Sequence, residues 1–174
     1  MKKIIILLLV LLAISARPVK ASDYLDLNFH EANSSAKLLT EQTRQGFVVD
    51  ERYLKLHTYL TRINSPLADY SAQFISSADK YGIDWRLLPA ISGLESAFAT
   101  QMVPGTYNAY GWGGGYIGFK DWYDSIDIVS KALKENYYDR GYDTPEKIAP
   151  VYAPPCGYWA SAVTKFMNEI STNI

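Results

Sequence analysis

Leu87-Leu88-Pro89-Ala90-Ile91-Ser92-Gly93-Leu94-Glu95-Ser96-Ala97-Phe98 is the stretch on which the fold turns. Leu87, Leu88, Ile91, Leu94 and Phe98 recur at helical spacing, which predicts a helix from Trp85 to about Phe98 with Asp84 as its cap. Pro89 falls inside that span and is expected to bend the first turns, because proline removes a backbone donor. Almost every other side chain in the run is apolar or small. A helix with so little polar surface belongs in the middle of a domain, and Glu95 stands out on it.

The segments on either side are helical too. Tyr53, Leu56, Leu60 and Ile63 mark one apolar stripe, and Leu67, Tyr70, Phe74, Ile75 and Ala78 a second. Asn64-Ser65-Pro66 divides them, with Ser65 as N-cap and Pro66 at the first helical position of a helix running to Lys80. Gly82 ends it. Beyond Phe98 the period vanishes over residues 99–124, which hold Pro104-Gly105, a Gly113-Gly114-Gly115 run and seven aromatics from Tyr107 to Tyr123. A long irregular segment within a packed domain is usually functional. Period returns at Ser125 with Ile126, Val129, Leu133 and Tyr137. Thr144-Pro145-Glu146 opens a short helix to Tyr152, and Trp159, Val163, Phe166, Met167 and Ile170 mark the last one. The expected fold is mainly α, with the aromatic, glycine-rich loop, or a small β flap, forming one wall of a cleft.

The N-terminus reads differently. Lys2 and Lys3 precede an unbroken apolar run from Ile4 to Ile14, and Val19-Lys20-Ala21 supplies a cleavage site, which together describe a secretory signal peptide over residues 1–21. The run is well short of the roughly 20 residues that a membrane-spanning helix needs. Residues 22–50 are polar and weakly periodic, an arm or tether ahead of a domain at 51–174. Export of the chain, to the cell envelope or beyond, follows as an expectation, without a stable membrane anchor.

Charge narrows the partners. Of 17 Lys and Arg, Lys2, Lys3, Arg17 and Lys20 leave with the signal, so 13 remain against 18 Asp and Glu, a formal charge of −5. An acidic chain without a basic stripe is a poor ligand for nucleic acid or an anionic membrane. With 48% hydrophobic and 20% charged residues, a packed core is expected and disorder of the whole is not. His30 and His57 stand alone, with no ligand-spaced partners, so no metal and no cofactor is expected. Gly113-x-Gly115-x-x-Gly118 matches a dinucleotide-binding pattern only by chance, since no strand precedes it. Cys156 is the single cysteine and excludes an internal disulfide. A Cys156–His57 nucleophile pair is conceivable, but the thiol follows two prolines instead of opening a helix, where its thiolate would be favoured. A monomer is expected.

Glu95 is the candidate for chemistry. Burial among apolar neighbours and the negative end of a helix both disfavour an ionised carboxylate, leaving an acid able to donate a proton. The alternative is a solvated glutamate on an exposed face. The loop offers Tyr107, Asn108, Tyr110 and Trp112 as contacts for a saccharide, whose apolar face and polar rim suit aromatic rings beside amides. Phe119, Trp122 and Ile126 are read instead as docking the loop into the core.

These residues also carry a resemblance. Glu95-Ser96-Ala97-Phe98 resembles the Glu-Ser-x-Phe step of lytic transglycosylases and goose-type lysozymes. Asn108-Ala109-Tyr110-Gly111-Trp112 resembles the Asn-Leu-Phe-Gly-Ile step of bacterial glucosaminidases of the endo-β-N-acetylglucosaminidase type. Phe119 to Ile126 is similar to their next segment, and Tyr152-Ala153-Pro154-Pro155 followed by Tyr158-Trp159-Ala160 to their Tyr-Ala-Thr-Asp-Pro-x-Tyr-Ala step. The resemblance runs from about Leu67 to Ile170. It implies a lysozyme-like helical fold, peptidoglycan or a related N-acetylated glycan as substrate, Glu95 as general acid, Tyr152 near it as a second catalytic residue, and Ser96 among the substrate contacts. Two departures stand out: Ala97-Phe98-Ala99 replaces a glycine-rich step, and Pro154-Pro155 replaces Thr-Asp. A lytic transglycosylase, and a glycan-binding protein without turnover, are the alternatives.

Overall fold

The computed structural model describes residues 50–155 and 157–172. The signal segment, the expected arm up to residue 49 and Cys156 lie outside the described residues. Helices dominate, and no strand occurs among the described residues, so the aromatic loop is irregular backbone and not a β flap.

The first helix, α1, is Glu51–Arg62. Asp50 caps it by accepting the Arg52 N–H at 2.9 Å. Leu56 and Leu60 are wholly buried on its inner face, as their spacing predicts. The chain then turns through Asn64 at φ +54°, and the Ser65 hydroxyl accepts the Leu67 N–H at 3.1 Å. The helix expected from Pro66 comes in two pieces: a 3-10 turn at Ala68–Tyr70 and then α2 at Ser71–Tyr81. Gly82, left-handed at φ +63°, ends α2.

Helix α3 is Leu87–Ser96, shorter at both ends than its apolar pattern. Asp84 still organises its entry, accepting the Arg86 N–H at 2.9 Å. Because the helix starts at Leu87, Pro89 sits in the first turn, where a backbone N–H has no partner within the helix anyway. The proline therefore removes no hydrogen bond, and the reason for expecting a bend disappears. Leu87 to Gly93 are all buried. Each large side chain among them contributes about 1.5–3 kcal/mol by leaving water.

The remaining helices enclose α3. Helix α4, Trp122–Asn136, begins three residues before the period is visible, because Asp121 caps it by accepting the Asp124 N–H at 2.8 Å. Asp124 in turn accepts the Lys120 N–H at 3.1 Å, so both acids serve the helix start. Helix α5, Pro145–Tyr152, has its proline at the first position, and α6 is Trp159–Thr172. Helix α3 packs mainly on α6, α2 on α4, and α1 and α5 both on α6. This arrangement holds the C-terminal end of α3 against the start of α6 and the end of α5, where the chemistry-bearing residues meet.

Candidate functional site

Glu95 is the penultimate residue of α3. Its Oε1 accepts a hydrogen bond from the indole Nε1–H of Trp159 at 2.9 Å. Trp159, the first residue of α6, is 1% exposed, so the donor cannot wander. Glu95 itself is exposed, which corrects the expectation of a carboxyl buried among apolar neighbours. Its backbone lies on a buried helix, but the last turn delivers the side chain to the molecular surface.

Past Glu95 the backbone does something unusual. Ala97, Phe98 and Ala99 have φ of +48°, +56° and +66°. Three consecutive non-glycine residues in the left-handed region cost on the order of 1–2 kcal/mol each, and such strain persists only where surrounding contacts enforce it. Those contacts are present. The Phe98 N–H donates to Ser92 O at 3.0 Å, the Ala99 N–H to Ser96 Oγ at 2.9 Å, and Ser65 Oγ donates to Phe98 O at 2.8 Å. The Phe98 ring also lies over Gly93, where a Cβ would meet its Cζ at 2.5 Å. A backbone conformation that glycine favours is thus held here by three residues that are not glycine.

Ser96 was expected to touch substrate. It is 4% exposed, and its hydroxyl lies 2.8 Å from Ala109 O and 3.0 Å from Ser92 O, sharing its proton between them. Its work is structural: it fastens the loop to α3. Asn108 is likewise buried. Its Nδ2 donates to Trp112 O at 2.8 Å and Ile117 O at 3.0 Å, while Oδ1 accepts the Trp112 N–H at 3.1 Å. One side chain thereby pins both arms of the glycine-rich turn. Tyr110 is wholly buried, and no hydrogen bond of standard geometry reaches its hydroxyl among the described residues. The expected sugar contacts at Ser96, Asn108 and Tyr110 are therefore corrected to supports of the loop. Tyr107 is half-buried, its ring edge-on to Trp122 at 5.4 Å.

The loop returns beside the carboxylate at Gly111, whose φ is +67° and where a Cβ would sit 2.6 Å from Glu95 Oε2. Close approach and a left-handed φ both favour glycine here. Gly111, Trp112, Gly113 and Gly114 form one side of a cleft of about 280 Å³, with Tyr137 and Tyr152 on the other. Tyr152 is the hub. Its ring lies 5.0 Å from Trp159 and 5.9 Å from both Trp112 and Tyr137. Its hydroxyl donates to Tyr110 O at 2.6 Å. Burial, then the negative charge of Glu95, pushes the Tyr152 phenol well above its ordinary value, so it stays a protonated donor.

Of the residues singled out in the sequence, Glu95, Tyr152 and Trp112 thus border one site. Trp159, Tyr137 and Gly111 join them without having been selected. The signal for Trp159 was available: a buried tryptophan N–H requires an acceptor, and the carboxylate nearest the end of a buried helix is the natural one. His57 lies on α1, stacked on Tyr53 at 5.4 Å. No cluster of three or more His, Cys, Asp or Glu able to hold a metal occurs among the described residues, and no helix there is long and apolar enough to cross a membrane. No known protein-family model matches the chain, and no curated protein sequence is significantly similar to it.

Proposed function

We propose that this protein is exported, has a lysozyme-like fold and cleaves β-1,4 glycosidic bonds of peptidoglycan glycan, as an N-acetylglucosaminidase-type hydrolase with Glu95 as general acid. The observation that carries the reading is the carboxylate of Glu95, tethered to Trp159 at 2.9 Å beside a cleft walled by Trp112, Tyr137 and Tyr152. Rings at the cleft suit the apolar faces of pyranoses, and the carboxyl is placed to meet a bridging oxygen. The exposure of Glu95 fits an open groove, because a bound sugar chain would itself exclude water from the carboxyl.

In the proposed reaction Glu95 gives its proton to the glycosidic oxygen, the C1–O bond breaks, and the distal fragment leaves as an alcohol. Two-carboxylate glycosidases place a second acid about 5–9.5 Å from the first. Asp121 and Asp124 are occupied at the start of α4, and neither lines the cleft. The positive charge developing at C1 is then met by the substrate's own N-acetyl oxygen, with water completing hydrolysis. Attack by the substrate's 6-hydroxyl instead would give an anhydro end, the outcome of a lytic transglycosylase.

The exposure of Glu95 also favours a second reading, a glycan-binding protein without turnover. Turbidity of purified murein treated with wild type, Glu95→Gln and Cys156→Ala separates these readings. Activity lost in Glu95→Gln alone supports cleavage, and an inert wild type that sediments with murein supports binding. Activity lost only in Cys156→Ala would point to a thiol peptidase. Mass spectra of the products distinguish reducing from anhydro ends and identify the linkage cut.

A further inference from the structure

We infer that Glu95 delivers its proton from Oε2 alone, and that Trp159 and Gly111 are the positioning residues that impose this choice; the inference rests on the cleavage reading above. The two carboxyl oxygens are not equivalent in this site. Oε1 accepts the Trp159 N–H at 2.9 Å. An indole nitrogen donates and cannot accept, so no proton can be directed from Oε1 towards it. In the neutral acid the carbonyl oxygen is the better acceptor of the pair. A fixed donor on Oε1 therefore favours the form with carbonyl character at Oε1 and the proton on Oε2.

Trp159 is rigid enough to enforce this. It is 1% exposed at the first position of α6, and its ring packs against Tyr152 at 5.0 Å. Oε2, the oxygen left to carry the proton, lies against Gly111. A Cβ at that position would stand 2.6 Å from Oε2 and 3.2 Å from the carboxyl carbon. Gly111 also lines the cleft. A side chain there would displace Oε2, the oxygen that must reach the substrate, and rotate the carboxyl away from the indole. Trp159 thus selects the oxygen, and Gly111 leaves room for it.

The test uses the mature protein with Trp159→Phe, Gly111→Ala and Glu95→Gln, assayed by initial rates on solubilised glycan strands. Trp159→Phe keeps an aromatic ring and deletes the donor. The expected result is a kcat reduced on the order of 10²-fold in Trp159→Phe and in Gly111→Ala, as for a misplaced catalytic group, with KM within about threefold. A second readout follows the indole N–H resonances of the four tryptophans in ¹⁵N-labelled protein. The Trp159 signal, assigned by its disappearance in Trp159→Phe, should move upfield in Glu95→Gln as its acceptor loses charge. If Trp159→Phe does not fold, the Trp159 signal is assigned by elimination from single Phe replacements of the other three tryptophans, and Gly111→Ala with the wild-type and Glu95→Gln spectra carries the test. An active wild type whose variants keep kcat, or a Trp159 signal indifferent to Glu95→Gln, overturns this inference alone. A wild type inert on every glycan overturns the cleavage reading and takes the inference with it.

Discussion

The hydroxyl of Ser96 lies 2.8 Å from the carbonyl oxygen of Ala109, 13 residues further along the chain. That contact joins the last turn of α3, which carries Glu95, to the loop that brings Gly111 against the same carboxylate. The Ser96 hydroxyl oxygen also accepts the Ala99 N–H at 2.9 Å and so holds the left-handed turn as well. Ser96 is therefore a joint between three parts of the site.

Ser96→Ala should expose that dependence. It leaves the Ala109 carbonyl and the Ala99 N–H buried without this partner, at a cost of ~1–3 kcal/mol per unsatisfied group. A loss of ~2–3 kcal/mol in urea unfolding at constant m-value is expected. Activity on murein should fall even at temperatures where the variant is fully folded, because the loop is no longer tied to the helix that bears the acid. A stability change within ~0.5 kcal/mol would show that the joint is not needed.

Ala97→Gly should act in the opposite direction. Ala97 follows the last helical residue with φ +48°, the conformation for which helix C-termini favour glycine. Relief of left-handed strain is worth ~1–2 kcal/mol, offset in part by the extra freedom that glycine gives the unfolded chain. A net gain of ~0.5–1 kcal/mol is expected from denaturant unfolding. The same substitution at Ala99, which is 7% exposed, would also remove a packed methyl and should gain less.

The contrast between these two residues shows what was legible beforehand. Apolar spacing located five of the six helices, since residues such as Leu56, Leu60, Ile91, Ile126 and Val163 had to face a core, and each of these is wholly buried; Thr144-Pro145-Glu146 marked the sixth. Glycine and proline marked the irregular segment. Roles within that segment were not legible, because Ser, Asn and Tyr serve equally well as sugar contacts and as partners for a loop's own backbone. Ser96 and Asn108 turned out to be the second kind, and Tyr110 a ring of the core. The run Ala97-Phe98-Ala99 concealed its shape altogether, since neither alanine nor phenylalanine favours a positive φ. Trp159 entered as one position of an apolar stripe and of a motif step, and neither periodicity nor the motif points to the N–H on its ring.

Acid should reveal a second dependence, far from the cleft. Arg52 pairs with Asp50 at 2.6 Å and with Asp79 at 2.6 Å, joining the start of α1 to α2. The hydrogen bonds from Arg52 are the main reason that both aspartates sit below their ordinary value of 3.8. A carboxylate held lower in the folded state stabilises it above the unfolded value, and that contribution is lost as the pH falls through the folded one. Stability should therefore decline as the pH drops below about 4, and Arg52→Met should flatten that part of the curve. Both acids are well exposed, so the effect should remain within ~1 kcal/mol and shrink in high salt. An unchanged acid limb in Arg52→Met would mean that other carboxylates govern it.

Tyr152→Phe distinguishes two roles that a tyrosine beside a general acid can have. Were its hydroxyl an essential proton source, phenylalanine would abolish turnover as thoroughly as Glu95→Gln. The hydroxyl instead donates to the Tyr110 carbonyl at 2.6 Å, and burial beside the negative charge of Glu95 makes the phenol harder to ionise. Both facts favour a fixed strut between α5 and the loop, with the ring still stacked near Trp159 after the hydroxyl is gone. The variant should lose ~1–3 kcal/mol of stability from the unpaired carbonyl, and roughly tenfold in kcat from the loosened loop. Residual activity in Tyr152→Phe above that of Glu95→Gln, measured on the same murein, is the deciding comparison. If the two variants are equally inert while both remain folded, the hydroxyl takes part in the chemistry and the strut is the wrong description.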